Sequence, residues 1–92
     1  MKTQVHVVIS GKVQGVWYRA STKVKAEGLG ITGWVKNTAK GDVEALFEGE
    51  ESVVDEMIAW CWKGPPLAQV TAIKETRKPF SGLFTDFSVL RT

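Results

Sequence analysis

Hydrophobic periodicity in this chain switches from two residues to 3.6 and back, twice, and that alternation restricts the fold more than any other feature. In QVHVVISG, residues 4–11, Val5, Val7 and Ile9 share one face while His6, Val8 and Ser10 share the other, the pattern of a strand. Tyr18, Thr22, Ala26 and Leu29 then recur at helical spacing and stack on one stripe of a helix over 18–29, with Lys23 and Glu27 away from it. Gly28 and Gly30 bracket its end, where glycine makes a left-handed cap cheap. Residues 31–36 (ITGWVK) alternate again, and 37–41 (NTAKG) is a turn. Residues 42–48 (DVEALFE) alternate too, with Val43, Ala45 and Phe47 on one face and Asp42, Glu44 and Glu48 on the other, so 31–48 reads as a hairpin. The strongest helical pattern is 52–63: Val53/Val54, Met57/Ile58 and Cys61 recur at i, i+3, i+4, Ser52 with Asp55 resembles a capping box, and Gly64-Pro65-Pro66 stops the helix. Residues 68–76 and 83–90 read as further strands, separated by a Lys78–Gly82 loop.

The order is β-α-β-β-α-β with an extra C-terminal strand. Such an order implies an α+β class and a ferredoxin-like split-βαβ sandwich, an antiparallel sheet with two helices on one face. Residues 1–92 leave room for a single domain with one core. That architecture hosts many functions and decides nothing about chemistry.

Composition removes several classes. Twelve Lys and Arg against ten Asp and Glu leave +2, too weak a bias to argue for nucleic acid or a membrane surface. One cysteine excludes an intrachain disulfide framework and a Cys-rich zinc site. The apolar stretch 5–9 is broken by His6 and is shorter than a secretory h-region, and no run approaches a membrane span, so a cytoplasmic, monomeric chain without a membrane partner is expected.

Two segments carry candidate chemistry. Gly11-Lys12-Val13-Gln14-Gly15-Val16-Trp17-Tyr18-Arg19 joins a strand to a helix N-terminus, a junction that presents unpaired N–H groups and the positive end of the helix dipole. Gly15 permits close backbone approach, and the Arg19 fork matches phosphoryl oxygens. Together they describe an anion cradle; a glycine-bearing loop with a solvated arginine fits the same letters. The segment is neither a Walker loop nor GxGxxG, so it does not indicate a nucleotide site. The second segment is Gly33-Trp34-Val35-Lys36-Asn37-Thr38. Asn37 is the sole asparagine, at a strand end, where it suits either a turn or a hydrogen bond to water or a substrate oxygen.

The two segments together resemble the acylphosphatase family. GKVQGVWYR at 11–19 matches its G-x-V-Q-G-V-x-[FY]-R signature, and GWVKN at 33–37 matches its G-W-V-x-N element. Thr38, Lys40-Gly41-Asp42-Val43-Glu44, Gly64–Val70 and Phe87-Ser88-Val89 look like later family segments, so the likeness covers nearly the whole chain. Trp17 stands where the family varies freely. The resemblance implies hydrolysis of an acyl phosphate to a carboxylate and inorganic phosphate without a cofactor or metal. It implies that Arg19 binds phosphate, that Asn37 orients the attacking water, and that backbone N–H groups of Val13, Gln14, Gly15, Val16, Trp17, Tyr18 and Arg19 complete the cradle. Inorganic phosphate or sulfate is then expected as a site ligand.

Other chemistries lack their residues. Cys61 opens C-x5-L rather than C-x5-R and lies on an apolar stripe, which reads as a buried thiol. His6 is the lone histidine, placed in a strand, and reads as structural. Trp60 and Trp62 read as helix-to-sheet packing and a partly exposed rim. An RNA-recognition sheet needs stacking aromatics on the third strand, where this chain has Phe47 among Asp42, Glu44 and Glu48. The alternative that keeps the fold without the chemistry is a catalytically silent binding or regulatory module.

Overall fold

The computed structural model describes residues 1–91. Its elements are β1 (Lys2–Lys12), α1 (Tyr18–Gly28), β2 (Thr32–Asn37), β3 (Val43–Glu50), α2 (Glu51–Lys63), β4 (Gln69–Pro79) and β5 (Phe87–Val89). They form one sheet of order β4-β1-β3-β2-β5. The first four strands pair antiparallel, as the pattern implies, and β5 adds in parallel to β2, so the sheet is mixed.

The buried face explains the alternation. Val5, Val7 and Ile9 of β1, Val35 of β2, and Val43, Ala45 and Phe47 of β3 are buried together with Tyr18 and Ala26 of α1 and Val54, Met57, Ile58 and Cys61 of α2. Phe87 closes this layer under β5, its ring stacked on Phe47 with centroids 5.8 Å apart. The stripe Tyr18, Thr22, Ala26 is the buried face of α1. The helix ends as its glycines suggest: Gly30 takes φ 71°, and the N–H of Ile31 returns to the Ala26 carbonyl at 2.9 Å.

Three expectations change. The helix start over 52–63 moves to Glu51, with Glu50 as N-cap and no side-chain cap. The Glu51 N–H instead donates to the Met1 carbonyl at 2.8 Å, and Asp55 accepts from Arg77 Nη2 at 3.2 Å. The strand over 83–90 shrinks to Phe87–Val89 because β2, its only ladder partner, begins at Thr32 and first meets β5 at Gly33–Phe87. Third, Glu48 alternates outward yet is 1% exposed. The 81–83 segment folds over it: the Ser81 hydroxyl and Gln4 amide donate to Oε2 at 2.7 and 2.6 Å, the Ser81 N–H donates to Oε2 at 2.9 Å, and the Gly82 N–H donates to Oε1 at 3.2 Å.

Burial pushes the Glu48 carboxyl up, but the hydrogen bonds from Ser81, Gln4 and Gly82 outweigh it and leave it below the ordinary value of 4.5. A depressed carboxyl contributes stability that is fully present above its unfolded value and is lost as pH falls through its folded value. Glu48→Gln is therefore expected to lower stability by about 1–3 kcal/mol at neutral pH. Urea unfolding at pH 7 and again well below pH 4.5 checks this. The gap to wild type should narrow in acid; an equal gap at both pH values would mean that the charge is not what holds the 81–83 segment.

Candidate active site

The chain leaves β1 through a bulge. The β1–β4 register shifts between Ser10 and Gly11, and a Cβ on Gly11, at φ 124°, would run into the Gln69 carbonyl oxygen. The following loop is held from both sides. Val13 and Val16 are buried plugs. The Gln14 side-chain amide donates to the carbonyls of Thr38 and Asp42, both at 2.9 Å, and so fastens the loop to the turn between β2 and β3. That turn is itself closed by the Thr38 N–H on the Asp42 carbonyl at 2.9 Å.

Gly15 and Trp17 both take left-handed conformations, φ 74° and 67°. Trp17 is the only non-glycine residue with positive φ among those described, at a cost of about 1–2 kcal/mol for a residue with a Cβ. It is also the N-cap of α1, without a side-chain cap. The first helical bond runs from the Ser21 N–H to the Trp17 carbonyl, 3.0 Å, so the N–H groups of Tyr18, Arg19 and Ala20 precede any helical partner. This is the arrangement that anion-binding loops use.

A cavity of ≈ 770 Å³ opens over these groups. Val13, Gly15, Trp17, Tyr18 and Arg19 wall it on the loop and α1 side, Asn37 at the end of β2, Val89 at the end of β5 and Arg91 beyond it. The fold thus brings Arg19 and Asn37 to one cavity from residues 18 positions apart in the chain. Among the described residues no carboxylate lines it, while two guanidinium groups do, so the lining favours anions. Arg19 forms no ion pair among the described residues. Asn37 Oδ1 is buried and has no hydrogen-bond partner among the described residues. A buried acceptor left unpaired costs about 1–3 kcal/mol, which makes this atom a candidate for contact with a ligand or water.

Not every residue of the expected loop faces the cavity. Gln14 is a strut and Val16 a plug, and neither lines it. The Tyr18 side chain turns into the core, its hydroxyl donating to the Cys61 carbonyl at 2.5 Å and its ring 5.8 Å from that of Trp60. Burial pushes the phenol far up, so it stays neutral and anchors the start of α1 on α2. Arg91 carries no signal in the sequence, and Val89 appears there only within the family-like Phe87-Ser88-Val89 segment; both reach the cavity because β5 runs parallel to β2.

A model of the acylphosphatase family matches residues 5–89. The chain belongs to the acylphosphatase family. It is 52% identical over 88 residues to an acylphosphatase of Methylococcus capsulatus, covering 96% of each chain. Among solved structures it resembles an acylphosphatase from Coxiella burnetii, at 43% identity and TM-score 0.91, covering 97% of this chain and 93% of that one. It also resembles an acylphosphatase from Bacillus subtilis, at 32% identity and TM-score 0.92, covering 98% and 99%. The acylphosphatase fold here is therefore shared along its length, β5 included.

Outside this acylphosphatase cavity lie the other candidate groups. Cys61 is fully buried, and burial pushes its thiol up to about 12, so it stays protonated at neutral pH. Cys61→Ser should keep turnover near wild type while lowering stability by roughly 1–2 kcal/mol. Kinetics beside thermal unfolding checks this; a hundredfold loss of kcat in a folded variant would make the thiol a participant. His6 sits on the open sheet face, its Nε2 2.6 Å from Glu44 Oε2, and does not line the cavity. Trp60 packs on Tyr18, whereas Trp62 is half exposed.

Proposed function

We propose that this chain hydrolyses acyl phosphates to a carboxylate and inorganic phosphate by direct attack of water on phosphorus. Arg19 and the N–H groups of the 13–19 loop hold the phosphoryl group, and Asn37 orients the water through its amide oxygen. The observation that carries this reading is the buried Asn37 Oδ1, unpaired among the described residues, beside a cavity walled by Arg19 and lined by no described carboxylate. The relatives' shared name, acylphosphatase, supports the reaction class.

The chemistry suits these residues. Phosphoryl transfer depends chiefly on positioning and on stabilising charge over the transferred oxygens. As the water oxygen bonds to phosphorus, the P–O bond to the acyl group breaks and its electron pair leaves as a carboxylate, so no protein acid is needed. Among the described residues no imidazole or carboxylate lines the cavity, so in this reading the water's proton passes to a phosphoryl oxygen of the substrate. In this reading the chain acts in the cytoplasm as a monomer, and inorganic phosphate or sulfate occupies the same cradle. Metal is not required, because Arg and N–H donors take the place of a carboxylate cluster.

Release of phosphate from benzoyl phosphate in excess EDTA tests this. Turnover should persist undiminished. Loss of turnover that Mg²⁺ restores would contradict the metal-free reading, and absence of hydrolysis in any buffer would favour a silent binding module.

A further inference from the structure

The cavity has a second cation, and its position assigns it to the other half of the substrate. Arg91 lines the same cavity as Arg19 but comes from the chain beyond β5 rather than from the loop. Its place follows from the register: Val35 pairs with Val89, and the Leu90 N–H donates to the Val35 carbonyl at 2.8 Å. Two residues on, Arg91 stands level with Asn37 at the carboxyl ends of parallel neighbours, and alternation gives it the parity of Phe87, on the helix side. Like Arg19, it forms no ion pair among the described residues. The phosphoryl group already has one guanidinium and a row of N–H donors, and a cavity of ≈ 770 Å³ is of the size that holds a whole small molecule rather than one phosphoryl group.

We propose that Arg91 determines specificity by binding a negatively charged group on the acyl portion, so that the enzyme favours acyl phosphates carrying a second anion. The proposal rests on the acyl phosphate reading above. Its test uses binding instead of turnover, with phenacylphosphonate, in which a methylene replaces the bridging oxygen, and its 3- and 4-carboxy derivatives. Calorimetry on the wild type should show the better carboxylated isomer binding about tenfold tighter than the parent, the effect of one charge-assisted contact at a partly solvated site. Arg91→Ala should reduce that ratio to about one, and Arg91→Glu should invert it. A wild-type ratio near one, a ratio that survives Arg91→Ala, or an Arg91→Ala variant that loses inorganic phosphate as strongly as it loses the carboxylated ligand would overturn the proposal. Binding of the phosphonates without hydrolysis of benzoyl phosphate would sink the acyl phosphate reading while leaving the ratio measurable. Failure of all three phosphonates to bind the wild type would overturn both.

Discussion

Asn37→Ala is expected to lower kcat by roughly 10²–10³, the size seen when one aligned polar group is removed from an active site. The argument starts from the buried, unpaired amide oxygen at the end of β2. In the proposed mechanism its contact with the attacking water matters chiefly on the way to the transition state, and loss of such a contact appears in kcat rather than in KM. Inhibition by inorganic phosphate should stay close to wild type. Stability should not fall, because the substitution removes a buried acceptor that has no partner among the described residues; thermal unfolding should give an equal or higher midpoint. A variant that keeps turnover at saturation but loses phosphate inhibition would reverse the role given to Asn37.

Arg19→Gln is expected to raise the inhibition constant for phosphate and to lower turnover together. In the proposed mechanism the guanidinium contacts the phosphoryl group in ground and transition states alike, through charge-assisted bonds. Loss of such a uniform contact raises KM, and the part that strengthens in the transition state lowers kcat as well. We expect kcat/KM to fall by roughly 10³ or more, since a charged hydrogen bond and its electrostatic share are removed at once. Arg19→Lys should restore little, because an ammonium cannot reproduce the planar fork. Steady-state kinetics with phosphate inhibition on both variants checks this. Full rescue by lysine would reduce Arg19 to a point charge.

The helices and the first strands were legible because their partners are local or periodic. Tyr18, Thr22 and Ala26 bury together on α1 as their spacing implies, and Val5, Val7 and Ile9 do so on β1. Glu48 was not legible. Its alternation points to solvent, and the segment that covers it lies 33 and 34 residues further on. The shortened β5 has a similar cause, since the length of β2 decides where β5 can pair. At the site, Arg19 and Asn37 could be named from their motifs, but not their common cavity. The strut made by Gln14 and the arrival of Arg91 depend on contacts between segments that carry no mutual signal in the chain.

Hydrolysis of benzoyl phosphate in heavy-oxygen water tests the central claim most directly, because it reports which atom the water attacks. With Arg19 and the loop holding the phosphoryl group and Asn37 aiming the water at phosphorus, the label should appear in inorganic phosphate and be absent from benzoate. Label in benzoate would place the attack at the acyl carbon and contradict the account.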